Sequence, residues 1–280
     1  AVFFPAGTYR VTRTMYVNSN TEIYGAGRDL VKIKMSDTAP IDVWVFTNAD
    51  RTNGNENIYI HDLTADWNAQ RFGAGNPTAS GGSNSSAICF GNVRNSAIRR
   101  VRAMGAGLHG IDITCASVAY PYTGDGSPNA AGPSRYVWVD ECETFDFGDD
   151  GITTHHSEYL FISNSFSHSP RNRTNNNGIE IDDGSRHVFL TNNTTWNCYA
   201  GIEIKAHDTA SAPSDVHIVG HMSVSDCRAY NWRHIGHHSG AEPISKTAFD
   251  ITASNLVALY PSNRMGYQGD TSPRALCINA

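Results

Sequence analysis

Short runs of alternating apolar and polar residues recur along this chain, separated by turns rich in Asn, Ser and Gly. One run is Gly-Ile-x-Ile: Gly110-Ile111-Asp112-Ile113, Gly178-Ile179-Glu180-Ile181 and Gly201-Ile202-Glu203-Ile204, with a variant at Gly151-Ile152-Thr153-Thr154. Ala87-Ile88-Cys89-Phe90 and Ala248-Phe249-Asp250-Ile251 read as looser copies. A second run follows after a short turn, as in Asn57-Ile58-Tyr59-Ile60, Tyr136-Val137-Trp138-Val139, Tyr159-Leu160-Phe161-Ile162, His187-Val188-Phe189-Leu190 and Asp215-Val216-His217-Ile218. Period-two alternation predicts strands, and a repeat of some 20–30 residues predicts stacked coils. No segment sustains a 3.6-residue apolar period, so long helices are not expected. The Leu spacing of a leucine-rich repeat and the four-strand period of a propeller are both missing. The expectation is all-β: a right-handed, single-stranded parallel β-helix over residues 1–280, one domain with loop insertions. The insertions are expected at 115–135 and 230–246. Both ends read as strands, which predicts a fragment of a longer solenoid.

Alternation assigns faces. The isoleucines point into the coil and the residues between them point out. Stacking then builds two outward columns, Asp112, Thr153, Glu180, Glu203, Asp250 and Thr114, His155, Asp182, Lys205, Thr252. Glu180 beside Glu203 places like charges on neighbouring strands, an arrangement that destabilises a sheet and therefore calls for a reason. Such a pair drives two carboxyl pKa values apart, which is what general acid and base work requires. His155, Asp182 and Lys205 form an alternating ladder beside it. Asp149-Asp150 enter the same face as a second carboxylate cluster, with Asp-rich turn chemistry as the alternative. Exposed aromatics of the loops and nearby turns, Tyr120, Tyr122, Trp196, Tyr199, Tyr230 and Trp232, could stack on sugar rings or could be packing residues.

Composition narrows the chemistry. Charged residues are only 17% of the chain and the net charge is −6, with no basic block. Nucleic acid is not an expected partner, because phosphate neutralisation needs clustered Lys and Arg. No apolar run reaches the roughly 18 residues of a spanning helix, so membrane insertion is not expected either. The six cysteines show no paired metal-ligand spacing and sit in apolar stretches, which predicts free thiols. No metal ligand set is complete among His155, His156, His234, His237 and His238, and no cofactor is expected. Calcium on Asp182-Asp183 is the alternative, for which a third ligand is not identifiable.

The run from Phe147-Gly148-Asp149-Asp150-Gly151 through His155-His156-Ser157-Glu158-Tyr159, with Gly178-Ile179-Glu180-Ile181-Asp182-Asp183-Gly184-Ser185-Arg186 and Gly201-Ile202-Glu203-Ile204-Lys205-Ala206-His207, resembles bacteriophage tailspike and pre-neck appendage proteins of the pectate-lyase-like β-helix superfamily. Arg233-His234-Ile235-Gly236-His237-His238 and the opening Phe3-Phe4-Pro5-Ala6-Gly7-Thr8-Tyr9 fit the same resemblance. It implies a homotrimeric spike on the virion, or otherwise an extracellular protein, with other virion proteins as neighbours. Its implied partner is a bacterial cell-surface polysaccharide or teichoic acid, bound and depolymerised. A partial likeness to polygalacturonases rests on Gly148-Asp149-Asp150. It departs where His109 stands for an Asp, Asn176-Asn177-Gly178 for Gly-His-Gly, and Glu203-Ile204-Lys205 for Arg-Ile-Lys. His155 and Asp182 are similar in placement to a His and Asp of mannuronan epimerases.

The expected catalytic residues are Glu180, Glu203, Asp182, Asp149, Asp150 and His155. Lys205, His109, Arg186 and Trp232 are expected to hold substrate. Carboxylates dominate, which favours glycoside hydrolysis over elimination. A non-catalytic glycan-binding adhesin and a secreted bacterial lyase or epimerase are the alternatives.

Overall fold

The computed structural model describes residues 1–73, 84–116, 132–171, 175–206, 210, 212–233, 249–263 and 272–279. Its strands form three parallel sheets that run the length of a solenoid. Each coil contributes one strand to each sheet in turn. The coil from Ile111–Thr114 through Arg135–Asp140 to Glu143–Phe145 is followed by Ile152–Thr154, Glu158–Ser163 and Phe166–His168. The architecture is a parallel β-helix. Among the described residues the one helix is a short 3-10 turn at Ala69–Phe72.

The Gly-Ile-x-Ile strands stack in the expected register. Ile111 pairs with Ile152, Ile152 with Ile179, and Ile179 with Ile202. Their side chains are buried in one continuous apolar core with Val137, Leu160, Val188 and Val216 from the neighbouring sheet. Each buried Ile or Leu withdraws enough apolar surface to stabilise the fold by roughly 1.5–3 kcal/mol. A single coil cannot achieve this, because its apolar face is covered only when the next coil lies above it.

The glycine before each Ile has a steric cause. A Cβ on Gly151 would lie 1.9 Å from Ser167 Oγ and 2.6 Å from the Gly178 carbonyl oxygen. One on Gly110 would meet the Gly151 carbonyl oxygen at 2.6 Å. The chain is packed so closely at this corner that only hydrogen fits. Beneath it the inner face of the third sheet is lined with small hydroxyl residues, and Thr144 Oγ1 donates to Ser167 Oγ at 2.7 Å.

Three expectations need correction. The sequence showed two strands per coil, but there are three. The third passes through Glu143–Phe145, Phe166–His168 and Thr194–Trp196, beyond what reads as polar turns. The turn itself is two residues long and starts with a left-handed residue, Glu141, Asn164 or Asn192 at φ 53°, 50° and 53°. Second, the strand Phe249–Ser254 is not a copy of Gly-Ile-x-Ile. It pairs with Ser214–Val219 in the other sheet. Asp250 and Thr252 therefore leave the two columns, and Asn231 takes the place beside Glu203. Third, the outward columns are not a surface, because Glu180, Asp182, Glu203, Lys205 and His155 are at most 2% exposed. All six cysteines are buried thiols. Of the two expected insertions, 117–131 and 234–246 lie outside the described residues, whereas 230–233 belong to the strand Arg228–Arg233.

Candidate active site

Four consecutive coils build the site. Register places Asp112 against Thr153, Thr153 against Glu180, and Glu180 against Glu203. One step further along each strand come His155, Asp182 and Lys205. The backbone N–H of Asp182 donates to the Thr154 carbonyl and that of Lys205 to the Ile181 carbonyl. A third column lies one residue ahead of each glycine: His109, Asp150, Asn177, Ala200. Gly110, Gly151 and Gly178 bind the carbonyls of Asp150, Asn177 and Ala200 in turn.

These columns close into a ring of alternating charge. His109 Nδ1 lies 3.5 Å from Asp112 Oδ2, and its Nε2 lies 3.4 Å from Asp149 and 3.5 Å from Asp150. His155 Nδ1 lies 3.4 Å from the other oxygen of Asp112, and its Nε2 lies 3.7 Å from Asp182. The Lys205 ammonium binds Asp182 directly and sits 3.3 Å from Glu180 Oε1. Thr153 Oγ1 and Asn177 Nδ2 donate to the two oxygens of Glu180 at 3.2 and 3.0 Å. The ring closes where Glu180 faces Asp150; carboxyl oxygens of Asp149 and Asp150, and of Glu180 and Asp182, also lie within 4.8 Å of each other.

Alternation explains the ionisation. Burial opposes the charge on Lys205, but Asp182 and Glu180 outweigh it and hold the ammonium charged to well above its usual range. Burial likewise opposes protonation of His109, yet Asp112 and Asp149 raise it to about 9. His155 is also raised, burial being overcome chiefly by Asp112. Asp112 is pulled below the carboxylate range by the two imidazoles despite its burial. Asp150 moves the other way: burial first, then the charges of Asp149 and Glu180, push it well up. Asp150 is therefore the carboxyl whose protonated form burial and its charged neighbours favour.

Among the described residues two triplets have metal-ligand donors within 4.8 Å of one another, His109/Asp149/Asp150 and His155/Glu180/Asp182. The second already holds a cation, the Lys205 ammonium, on Glu180 and Asp182. In the first, the imidazole that would donate a lone pair carries a proton below about pH 9. Asp182, the carboxylate considered for calcium, is engaged by Lys205.

The geometry sorts the expected residues. Glu180, Asp182, Asp150, Asp149, His155, Lys205 and His109 converge. Glu203 lies beside Glu180 in register and accepts from Asn231 Nδ2 at 2.5 Å. Asp150, beside Asp149 and Glu180, is a carboxyl pushed upward. Arg186 stands elsewhere: it binds Glu158 at 2.7 Å, and Arg135 binds the other oxygen of the same carboxylate. That ladder is on a different sheet, with Glu158 buried and each guanidinium about a third exposed. Trp232 pairs with Ile204 and so points inward, packing against the core beside an apolar cavity of about 510 Å³ with Tyr230, Ile251 and Leu256. Tyr199 and Tyr230 are buried, and Tyr120, Tyr122, His234, His237 and His238 lie outside the described residues. Outer-face rings do occur, in the stack Trp138–Phe161–Phe189–His217 at 5.0–5.3 Å between centroids. Their faces are covered by one another, which leaves edges and not faces toward a sugar.

Sequence reading assigned no role to Asp112, Asn177 or Arg51. The first two were legible as the residue inside, or just ahead of, a Gly-Ile-x-Ile copy. Arg51 had no such signal. It reaches Cys89 Sγ at 3.1 Å from a turn one coil before, and its charge faces Asp112.

Residues 1–203 match the family described as rhamnogalacturonase A/epimerase, pectate lyase-like. The chain belongs to this family. Over its whole length this pectate lyase-like chain is 48% identical to the pre-neck appendage protein of Bacillus phage phi29 and 47% to that of Bacillus phage B103. It spans about a third of those relatives, 32% of each. The solved N-terminal fragment of bacteriophage phi29 gene product 12 superposes with a TM-score of 0.92 at 46% identity, over 99% of this chain and 47% of that one. The resemblance read from residues 147–207 is borne out, as is the β-helix.

Proposed function

We propose that this chain is the β-helix body of a virion appendage that binds a bacterial surface glycopolymer and depolymerises it by acid/base hydrolysis. The observation that carries the reading is the charged ring itself. Four carboxyls, two imidazoles and one ammonium are buried together, with half-buried Asp149 at their edge, at a large desolvation cost that a purely apolar coil would not incur. The likeness to pre-neck appendage proteins supports a place on a phage particle; in this reading the spike is homotrimeric, attached to other virion proteins, and its target is a cell-surface polysaccharide or teichoic acid.

In this reading the Asp150–Glu180 contact holds the proton given to the leaving oxygen. Asp149, the ring member nearest solvent at 16% side-chain exposure, accepts a proton from the attacking water. Lys205 keeps Glu180 and Asp182 paired while charge moves. His155 is the base if the bond breaks by elimination instead.

The near-complete burial of the cluster favours a second reading, a non-catalytic glycan-binding adhesin whose ring only stiffens the coils. Incubation with host wall polysaccharide and teichoic acid fractions, followed by sizing of the products, separates the two. Shortened polymer that Asp150→Asn and Glu180→Gln no longer produce supports the enzyme. Retained binding without shortening supports the adhesin, and full cleavage by both variants removes this site. New ultraviolet absorbance of an unsaturated uronate would replace hydrolysis by elimination.

A further inference from the structure

Asp112 is the only carboxylate of the ring that faces two imidazoles. His109 and His155 both turn Nδ1 toward it, one to each oxygen, at 3.5 and 3.4 Å. The rings lie 5.8 Å apart and 29° from parallel, so they flank the carboxylate like two plates. Fixing Nδ1 fixes Nε2, because the two nitrogens lie on opposite sides of a rigid ring. His109 Nε2 therefore points at Asp149 and Asp150, and His155 Nε2 points at Asp182.

We propose that Asp112 is the positioning residue of this site: one carboxylate that sets the orientation and protonation of two imidazoles, and through them couples the Asp149–Asp150 end of the cluster to the Asp182–Lys205 end.

Every neighbour of Asp112 fits that role. From the preceding coil, Cys89 Sγ reaches Asp112 Oδ2 at 3.6 Å, and Arg51, itself on Cys89, adds a positive charge. From the following coil come Thr153, in register, and His155. His109 stands three residues ahead on its own coil. His109 faces Asp149 and Asp150 besides, and His155 faces Asp182 and the charge of Asp183. Asp112 is 4% exposed, so water competes little for its oxygens. Two cations that share one carboxylate compete for it. The proton on each imidazole is then weaker than it would be if the other were absent. A salt-bridge ladder of independent pairs would show no such competition.

This inference rests on the proposed hydrolysis only in its kinetic arm. The first arm is nuclear magnetic resonance titration of the histidines in the full-length protein, with His109 and His155 assigned by their Gln variants. In Asp112→Asn, each imidazole should lose its proton at a pH lower by about one unit or more, the range an adjacent opposite charge supplies. In His155→Gln, the His109 titration should move up. Asp112→Glu keeps the charge and should restore most of the wild-type titration, so poor folding of the Asn variant would not shield the idea. Unchanged His109 and His155 titrations in Asp112→Asn, or a His109 indifferent to His155→Gln, overturns it. In the second arm, Asp112→Asn should lower kcat about 10²-fold, within the range of acid/base catalysis, with KM nearly unchanged and the pH profile displaced. An active variant with a wild-type pH profile also overturns it. If even the wild type cleaves nothing, the hydrolase reading fails while the titrations still decide the role of Asp112.

Discussion

Replacing His109 with Gln should flatten the pH dependence of stability on the alkaline side of neutrality. His109 is buried, and its carboxylate neighbours lift its titration from 6.5 to about 9. That displacement is worth on the order of 3 kcal/mol, at 1.36 kcal/mol per pH unit. The sign follows from linkage. Below about pH 6.5 the imidazole is protonated in both folded and unfolded chains, and the whole stabilisation is present. Between 6.5 and 9 the unfolded chain gives up its proton while the folded one keeps it, so stability falls. Above about 9 the contribution is gone. His155 and Asp150, both raised, act in the same direction. Asp112, lowered, loses its contribution only on the acid side. The assay is urea denaturation at pH 6 and at pH 9.5, followed by tryptophan fluorescence. The wild type should lose on the order of 3 kcal/mol more than His109→Gln across that interval. Parallel losses in the two proteins would mean that His109 is not protonated in the folded chain, and the ring would lose one of its cations.

Three further outcomes test the packing argument. Lys205→Met removes the ammonium from two buried carboxylates and should cost about 3–5 kcal/mol near neutral pH, with a smaller deficit in acid where the carboxyls take up protons; denaturation at pH 7 and pH 4.5 measures both. Gly151→Ala puts a methyl group within 1.9 Å of Ser167 Oγ and 2.6 Å of the Gly178 carbonyl, and should destabilise by about 1–3 kcal/mol or more. A wild-type melting temperature would show that the corner is looser than described. Glu141→Gly should raise the melting temperature, by up to about 1 kcal/mol in stability, because Glu141 is exposed and held at φ 53° where a Cβ is strained. The gain is limited by the greater freedom of glycine in the unfolded chain.

How much of this was readable in advance depends on distance along the chain. The isoleucine ladder was legible because each copy carries its own glycine and its own alternation. Once Ile152, Ile179 and Ile202 are placed in register, Thr153, Glu180 and Glu203 must follow. Around the site the third sheet was hidden because its strands there are only three residues long and carry Thr144, Ser167 and Thr195 inward, so that no apolar signal marks them. Phe249–Ser254 misled because its local pattern suits either sheet, and only its pairing with Ser214–Val219 decides between them.

The amino-acid sequence by itself determined the coil, its period, and the set of ionisable residues that share one side of it. Those properties are local: a strand's alternation and a turn's preference for Asn or Gly are written within a few residues. Only the tertiary structure decided that these residues are buried, that Asp150 faces Glu180, and that one aspartate holds two histidines. Burial and ionisation belong to no residue alone. They are set by the field of groups 23 to 43 positions away in the chain, brought within 4 Å by stacking of the coils.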